Sequence, residues 1–229
     1  MSDNPMPRRA LEIERSAIEL ELLDMVNKAA AMFTTSVRSL HQLDRGLARQ
    51  AMRADDEIDR LDLEIETRCL DLLALQQPMG SDLREIGTIL KIITDIERIG
   101  DLSVDLAKIT LKIDSVMGRS DFVDLPKMAG VVTKMLNEAA LMFHRKESEP
   151  YQLILSLEDE VDEMYREYRN QTHEFMVGNP DQVLAASWMI LALHHIERVA
   201  DHAQNIAERV VFMVTGELPQ IVLDDVDRG

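Results

Sequence analysis

The sequence predicts an all-α protein, a tandem repeat of two antiparallel three-helix bundles. Three observations carry that reading. The phrase Ile96-Glu97-Arg98-Ile99-Gly100-Asp101 returns 100 residues later as Ile196-Glu197-Arg198-Val199-Ala200-Asp201. A second phrase, DEID at 56–59, returns 103 residues later as DEVD at 159–162. Two phrases recurring in the same order at nearly equal offsets mark a duplicated unit of about a hundred residues. The apolar residues around the first phrase (Ile89, Ile92, Ile93, Ile96, Ile99) step by three and four, and the copy repeats this with Trp188, Leu191, Ile196 and Val199. That is helical period. Finally, all seven prolines fall at or near breaks in the period. None interrupts a long amphipathic run, where each costs about 3 kcal/mol.

Between those breaks lie six helices, at roughly 8–42, 45–77, 80–116, 121–146, 149–177 and 180–215. The first carries a stripe that includes Leu11, Ile18, Leu22, Met25, Phe33 and Leu40, and Leu43-Asp44-Arg45-Gly46 after it reads as a turn or a kink. The second joins its acidic start to Leu61, Ile65, Leu72 and Leu73; Gln76 to Ser81 then form a polar turn with Ser81 as the expected N-cap of the third. Gly80, Gly118, Gly178 and Gly216 stand where helices should stop. Residues 117–126 are the expected linker, giving a first bundle at 8–116 and a second at 121–215. The short acidic stretch 216–229 is expected to fray.

The chain holds 42 acidic and 25 basic residues, a net charge of −17. Such a field repels phosphate backbones and argues against nucleic acid as a partner. Cys69 is the only cysteine, so no internal disulfide forms, and it reads as a small core residue among leucines. No apolar run follows Arg8 and Arg9, and the run from Val183 to Leu193 contains Ser187 and is too short to span a bilayer. A cytoplasmic protein is expected, brought to a membrane only through partners.

Four acidic pairs sit one helical turn apart, about 6 Å along the axis: Asp55/Asp59, Glu97/Asp101, Glu158/Asp162 and Glu197/Asp201. Chance supplies about eight such pairs at this acid content, and charge runs usually mark solvated faces. These four stand out because they coincide with the repeated phrases, one pair on the second helix and one on the third helix of each half. Packed side by side, those helices bring four carboxylates to one patch per half. Oxygen donors of this kind suit Mg, Ca, Mn or Fe, and Zn less well without His or Cys. The competing reading is that Arg98 and Arg198 neutralise the rows by surface ion pairs. His194 lies on the row's face, but Thr94 takes its place in the first half, so it reads as a polar-face residue; His195 and His202 point off the row. A di-iron oxidase needs Glu-x-x-His on two helices, and no histidine here has Glu three residues before it. A phosphate loop and a nucleophilic triad are equally lacking in the sequence, which makes enzyme the weaker class and leaves a carboxylate-type metal enzyme or metal store as the rival to a binding protein.

With Glu-Arg-[Ile/Val]-x-Asp on each third helix and Asp/Glu-x-x-x-Asp on each second, the chain resembles the PhoU family from about residue 8 to 215. ERVADHAQNIAE, from Glu197 to Glu208, follows the family pattern closely, whereas ERIGDLSVDLAK, from Glu97 to Lys108, departs from it at Leu102, Asp105 and Lys108. The resemblance implies metal clusters on these acidic pairs, Fe or Zn foremost with Mg or Mn considered. It further implies a homodimer that acts as a negative regulator of phosphate uptake and the phosphate-starvation response. The partners it implies are the sensor histidine kinase of the phosphate regulon and the ATPase of the phosphate ABC transporter.

Overall fold

A computed structural model describes residues 5–113 and 123–219, and the regular structure in them is wholly helical. The helices are α1 (Pro5–Gln42), α2 (Arg45–Gln76), α3 (Ser81–Lys112), α4 (Leu125–Arg145), α5 (Tyr151–Gly178) and α6 (Val183–Thr215), with one 3₁₀ turn at Pro180–Gln182 before α6. They form two antiparallel three-helix bundles in tandem, the fold class expected. The stretch 114–122, which takes in most of the expected linker and the expected end of the third helix, lies outside the described residues, as does 220–229 of the tail.

Local chemistry fixes the ends. Leu43 (φ 53°) turns the chain after α1, so the ambiguous segment is a turn rather than a kink. Asp44 then caps α2, its Oδ1 accepting from the Gly46 and Leu47 amides at 2.7 and 3.1 Å. The expected cap at Ser81 is corrected. Gly80 holds the N-cap position at φ 60°, ψ −122°, with no side-chain bond, a conformation costly for any residue with a Cβ, and Ser81 is already the first helical residue. Helix α4 begins at Leu125, four residues later than expected, because Asp124 caps it by accepting from the Lys127 amide at 3.0 Å. Of the expected glycine stops, Gly216 ends α6 in the left-handed region (φ 83°); Gly178 is the last helical residue of α5. Gln77 and Lys146 do the same work after α2 and α4 without being glycine.

Within each half the helices pack pairwise: α1, α2 and α3 together, then α4, α5 and α6. The halves join along two seams, α3 on α6 and α1 on α4, and the buried apolar side chains of both merge into one core. Cys69 is fully buried there, and burial pushes its thiol up to about 12. The α3–α6 seam is antiparallel along its length. Arg84 fills the space a Cβ on Gly216 would need, Asp95 meets Asn205 at 3.4 Å, and Lys112 stands 4.4 Å over the Trp188 ring. Ala192, Ala200, Ala203 and Ala207 on α6 are all buried. Continuous with its 3₁₀ turn, α6 is longer than its apolar run and reaches the length and apolarity of a membrane span. Its apolar face is nevertheless core, and Glu197, Arg198, Asp201, Glu208 and Arg209 interrupt its second half.

Candidate functional site

The repeated acidic pairs lie where the second and third helices of each half run side by side. In the first half, burial pushes the Asp55 carboxyl on α2 up to about 6, and the charges of Asp59 and Asp101 add to the effect. Its Oδ1 lies 3.0 Å from the point a Cβ on Gly100 would occupy, so the bare backbone of α3 is what admits it. Glu97 is also raised, first by burial, then by Asp101, with Asp62 and Asp59 contributing. Arg98 donates to Asp101 Oδ2 at 2.8 Å and stands 3.4 Å from Glu97. Here the neutralising arginine of the competing reading is present.

The second half is built differently at three points. Glu158 replaces Asp55 and is pushed up to about 7 by burial, then by Asp162, Asp159, Asp201 and Glu197. Ala200 stands where Gly100 does, so a longer acid accompanies the filled backbone position. Arg198 makes no ion pair among the described residues; the arginine against this patch is Arg166, 3.7 Å from Asp162. Glu197 is raised by burial and by Asp201, with His194 opposing. Its Oε2 is buried and stands 3.1 Å from His194 Nδ1 without an aligned hydrogen bond. Asp201, on the exposed rim, is raised by partial burial and by Asp162.

All eight expected residues therefore fall into two patches, one per half. Among the described residues, no three Asp, Glu, His or Cys side chains already stand together as a ligand set that encloses an ion. One neighbour, Asp62, escaped the sequence reading, and another, His194, was read there as a polar-face residue. Asp62 joins the first patch, its pKa raised by burial, Glu66 and Asp59, and His194 faces the second. Their signal was helical spacing alone, Asp62 three residues after Asp59 and His194 three before Glu197. Neither residue recurs in the other repeat.

The seam between α3 and α6 separates the patches. Across it, Asp95 Oδ1 lies 2.9 Å from His202 Nδ1. His195 is buried, and burial lowers its pKa; both histidines are off the rows, as expected. A cleft of about 400 Å³ opens over the seam, with Arg98, Asp101, Asp105, Lys108 and Arg198 in its walls.

Such a molecule belongs to a class of duplicated helical scaffolds, each unit offering one half-buried acidic patch between its second and third helices. The chain is a member of the PhoU family: the PhoU domain matches residues 22–110 and again 125–210. It is 30% identical to the phosphate-specific transport system accessory protein PhoU homolog 1 of Thermotoga maritima, over 95% of this chain and 94% of that one. The corresponding homolog of Deinococcus radiodurans is 29% identical, over 91% of this chain and 98% of that one. The crystal structure of PhoU from Pseudomonas aeruginosa superposes with a TM-score of 0.83 at 30% identity, covering 90% of this chain and 99% of that one. These relatives carry accessory-protein names, which places the chain in a phosphate-transport accessory family.

Proposed function

We propose that this protein is a cytoplasmic negative regulator of phosphate uptake and phosphate-starvation signalling that works by binding other proteins. The observation that carries the reading is the full-length match to phosphate-transport accessory proteins in both repeats. The ATPase of the phosphate ABC transporter and the sensor histidine kinase of the regulon are the proposed partners, and a homodimer the proposed assembly. The acidic surface and the rigid helical frame suit docking. Deletion of the gene should raise phosphate-responsive expression when phosphate is plentiful. Expression that stays low, together with loss of a metal oxidation or hydrolytic turnover, gives the function to the enzyme reading instead.

Divalent or ferric ions at the two patches complete the proposal. Asp55, Asp59, Glu97 and Asp101 would hold one, and Glu158, Asp162, Glu197 and Asp201 the other. Three features support the fit: the raised pKa values of Asp55 and Glu158, the Gly100 cradle, and the buried Glu197 oxygen with only His194 beside it. A cation offsets the burial, and then the mutual repulsion, that raise those pKa values. Oxygen donors fit Mg, Mn or Fe in both patches, and His194 brings a nitrogen within reach of the second, which suits Fe or Zn. Bound metal would fix the second helix against the third and so set the docking surface. Elemental analysis of protein purified without added metal or chelator tests this directly.

A further inference from the structure

The second seam, where α1 meets α4, holds a cleft that lies away from both acidic patches. We propose that this cleft binds a small amphipathic organic anion, an apolar body carrying a phosphate, sulfonate or carboxylate head. Its volume is about 630 Å³, within the range of small-molecule sites. Val37 and Ala129, both buried, give it an apolar lining, and Arg38 on α1 and Lys134 on α4 line it from the two helices.

Those two cations are free to take an anion, in a chain that carries −17 overall. Arg45, Arg49, Lys91 and Arg198 are likewise without an ion pair among the described residues, but none of them lines this cleft. Arg38 and Lys134 make neither an ion pair nor a hydrogen bond among the described residues. One carboxylate, Glu138, shares the lining with them, so the cleft is locally cationic in an anionic field. A net positive charge in a concave wall draws the opposite ion.

Gly130 gives an independent reason. It lies inside α4, where glycine costs about 1 kcal/mol relative to alanine. Its φ is not in the left-handed region, and a Cβ built there meets no atom within 4 Å. Neither backbone conformation nor packing requires glycine. What its missing side chain does leave is room in the wall of the cleft that it shares with the two cations.

The test uses the full-length chain and 8-anilinonaphthalene-1-sulfonate, followed by fluorescence titration and calorimetry. Wild type should bind the probe at one saturable site. Arg38→Gln combined with Lys134→Gln, both exposed positions, should weaken binding at least about tenfold. Gly130→Leu should abolish it while the melting temperature holds or rises, because the leucine enters open space and favours helix. Millimolar inorganic phosphate should leave the probe bound, since the apolar body carries part of the affinity. Absence of saturable binding, or unchanged affinity in either folded variant, overturns the proposal. Full displacement by phosphate overturns the ligand class and leaves a simple anion site.

Discussion

A carboxylate oxygen of Asp55 lies 3.0 Å from where a Cβ on Gly100 would stand. The acid and the glycine are a matched pair on two helices, and the second repeat replaces both together, with Glu158 and Ala200. Gly100→Ala should therefore separate two effects. Helix propensity improves by about 1 kcal/mol, while Asp55 must retreat by a few tenths of an ångström. We expect stability within about 1 kcal/mol of wild type by chemical denaturation, and weaker divalent binding in the first patch only. Unchanged metal affinity in a folded Gly100→Ala variant removes Asp55 from the ligand set.

The pH dependence of stability follows from Asp55 at about 6 and Glu158 at about 7. Both are acids raised above their unfolded values of 3.8 and 4.5. Between those limits the folded state binds more protons than the unfolded one, so stability falls as pH rises. In metal-free protein the unfolding free energy should drop between pH 5 and pH 8 by on the order of 1 kcal/mol per group after solvent screening, and the melting temperature with it. Asp55→Asn and Glu158→Gln should each flatten the slope. A melting temperature that climbs steadily over this interval contradicts the two shifts.

Glu197→Gln with Asp201→Asn keeps volume and removes two charges from the second patch. Metal content should fall to about half if both patches load equally. The variant should also be at least as stable as metal-free wild type at neutral pH, since repulsion between like charges is gone. Metal content and affinity equal to wild type would falsify the second site.

Glu85, only 5% exposed, accepts from Lys146 Nζ at 2.8 Å and stands 3.5 Å from Arg15. This cluster ties the start of α3 to the end of α4 across the two halves. Lys146→Met keeps the aliphatic stem and deletes the charge. The expected loss is about 1–2 kcal/mol, because Arg15 still faces the buried carboxylate. That corresponds to a fall in melting temperature of roughly 2–8 °C for a chain of this size; no change would show that Arg15 alone satisfies Glu85.

Much of this fold could be read from the sequence because local period encodes helices. Ile86, Ile89, Ile93 and Ile96 repeat every three or four residues, and all are buried in α3. The acidic patches were legible for a different reason: duplication singles out Glu97/Asp101 and Glu197/Asp201 from a background of acids. That same filter hid Asp62 and set His194 aside, since each occurs in one repeat and has Tyr165 or Thr94 as its counterpart in the other. The Ser81 cap was misplaced because the turn's conformation belongs to Gly80, whose positive φ is invisible to side-chain pattern. The pairing of Asp95 with His202 spans 107 residues and depends on the register of α3 against α6, which no local signal specifies.

That register has a consequence for how the protein comes apart. Lys112 over Trp188 marks one end of the α3–α6 seam and Arg84 beside Gly216 the other, so the two third helices share their whole length as a single spine. Neither repeat can melt without stripping the inner face of the other. A gene duplication has thus produced one cooperative unit from two copies. Its calorimetric trace should show a single endotherm whose van't Hoff and calorimetric enthalpies agree, with slowly exchanging amides concentrated on α3 and α6 together.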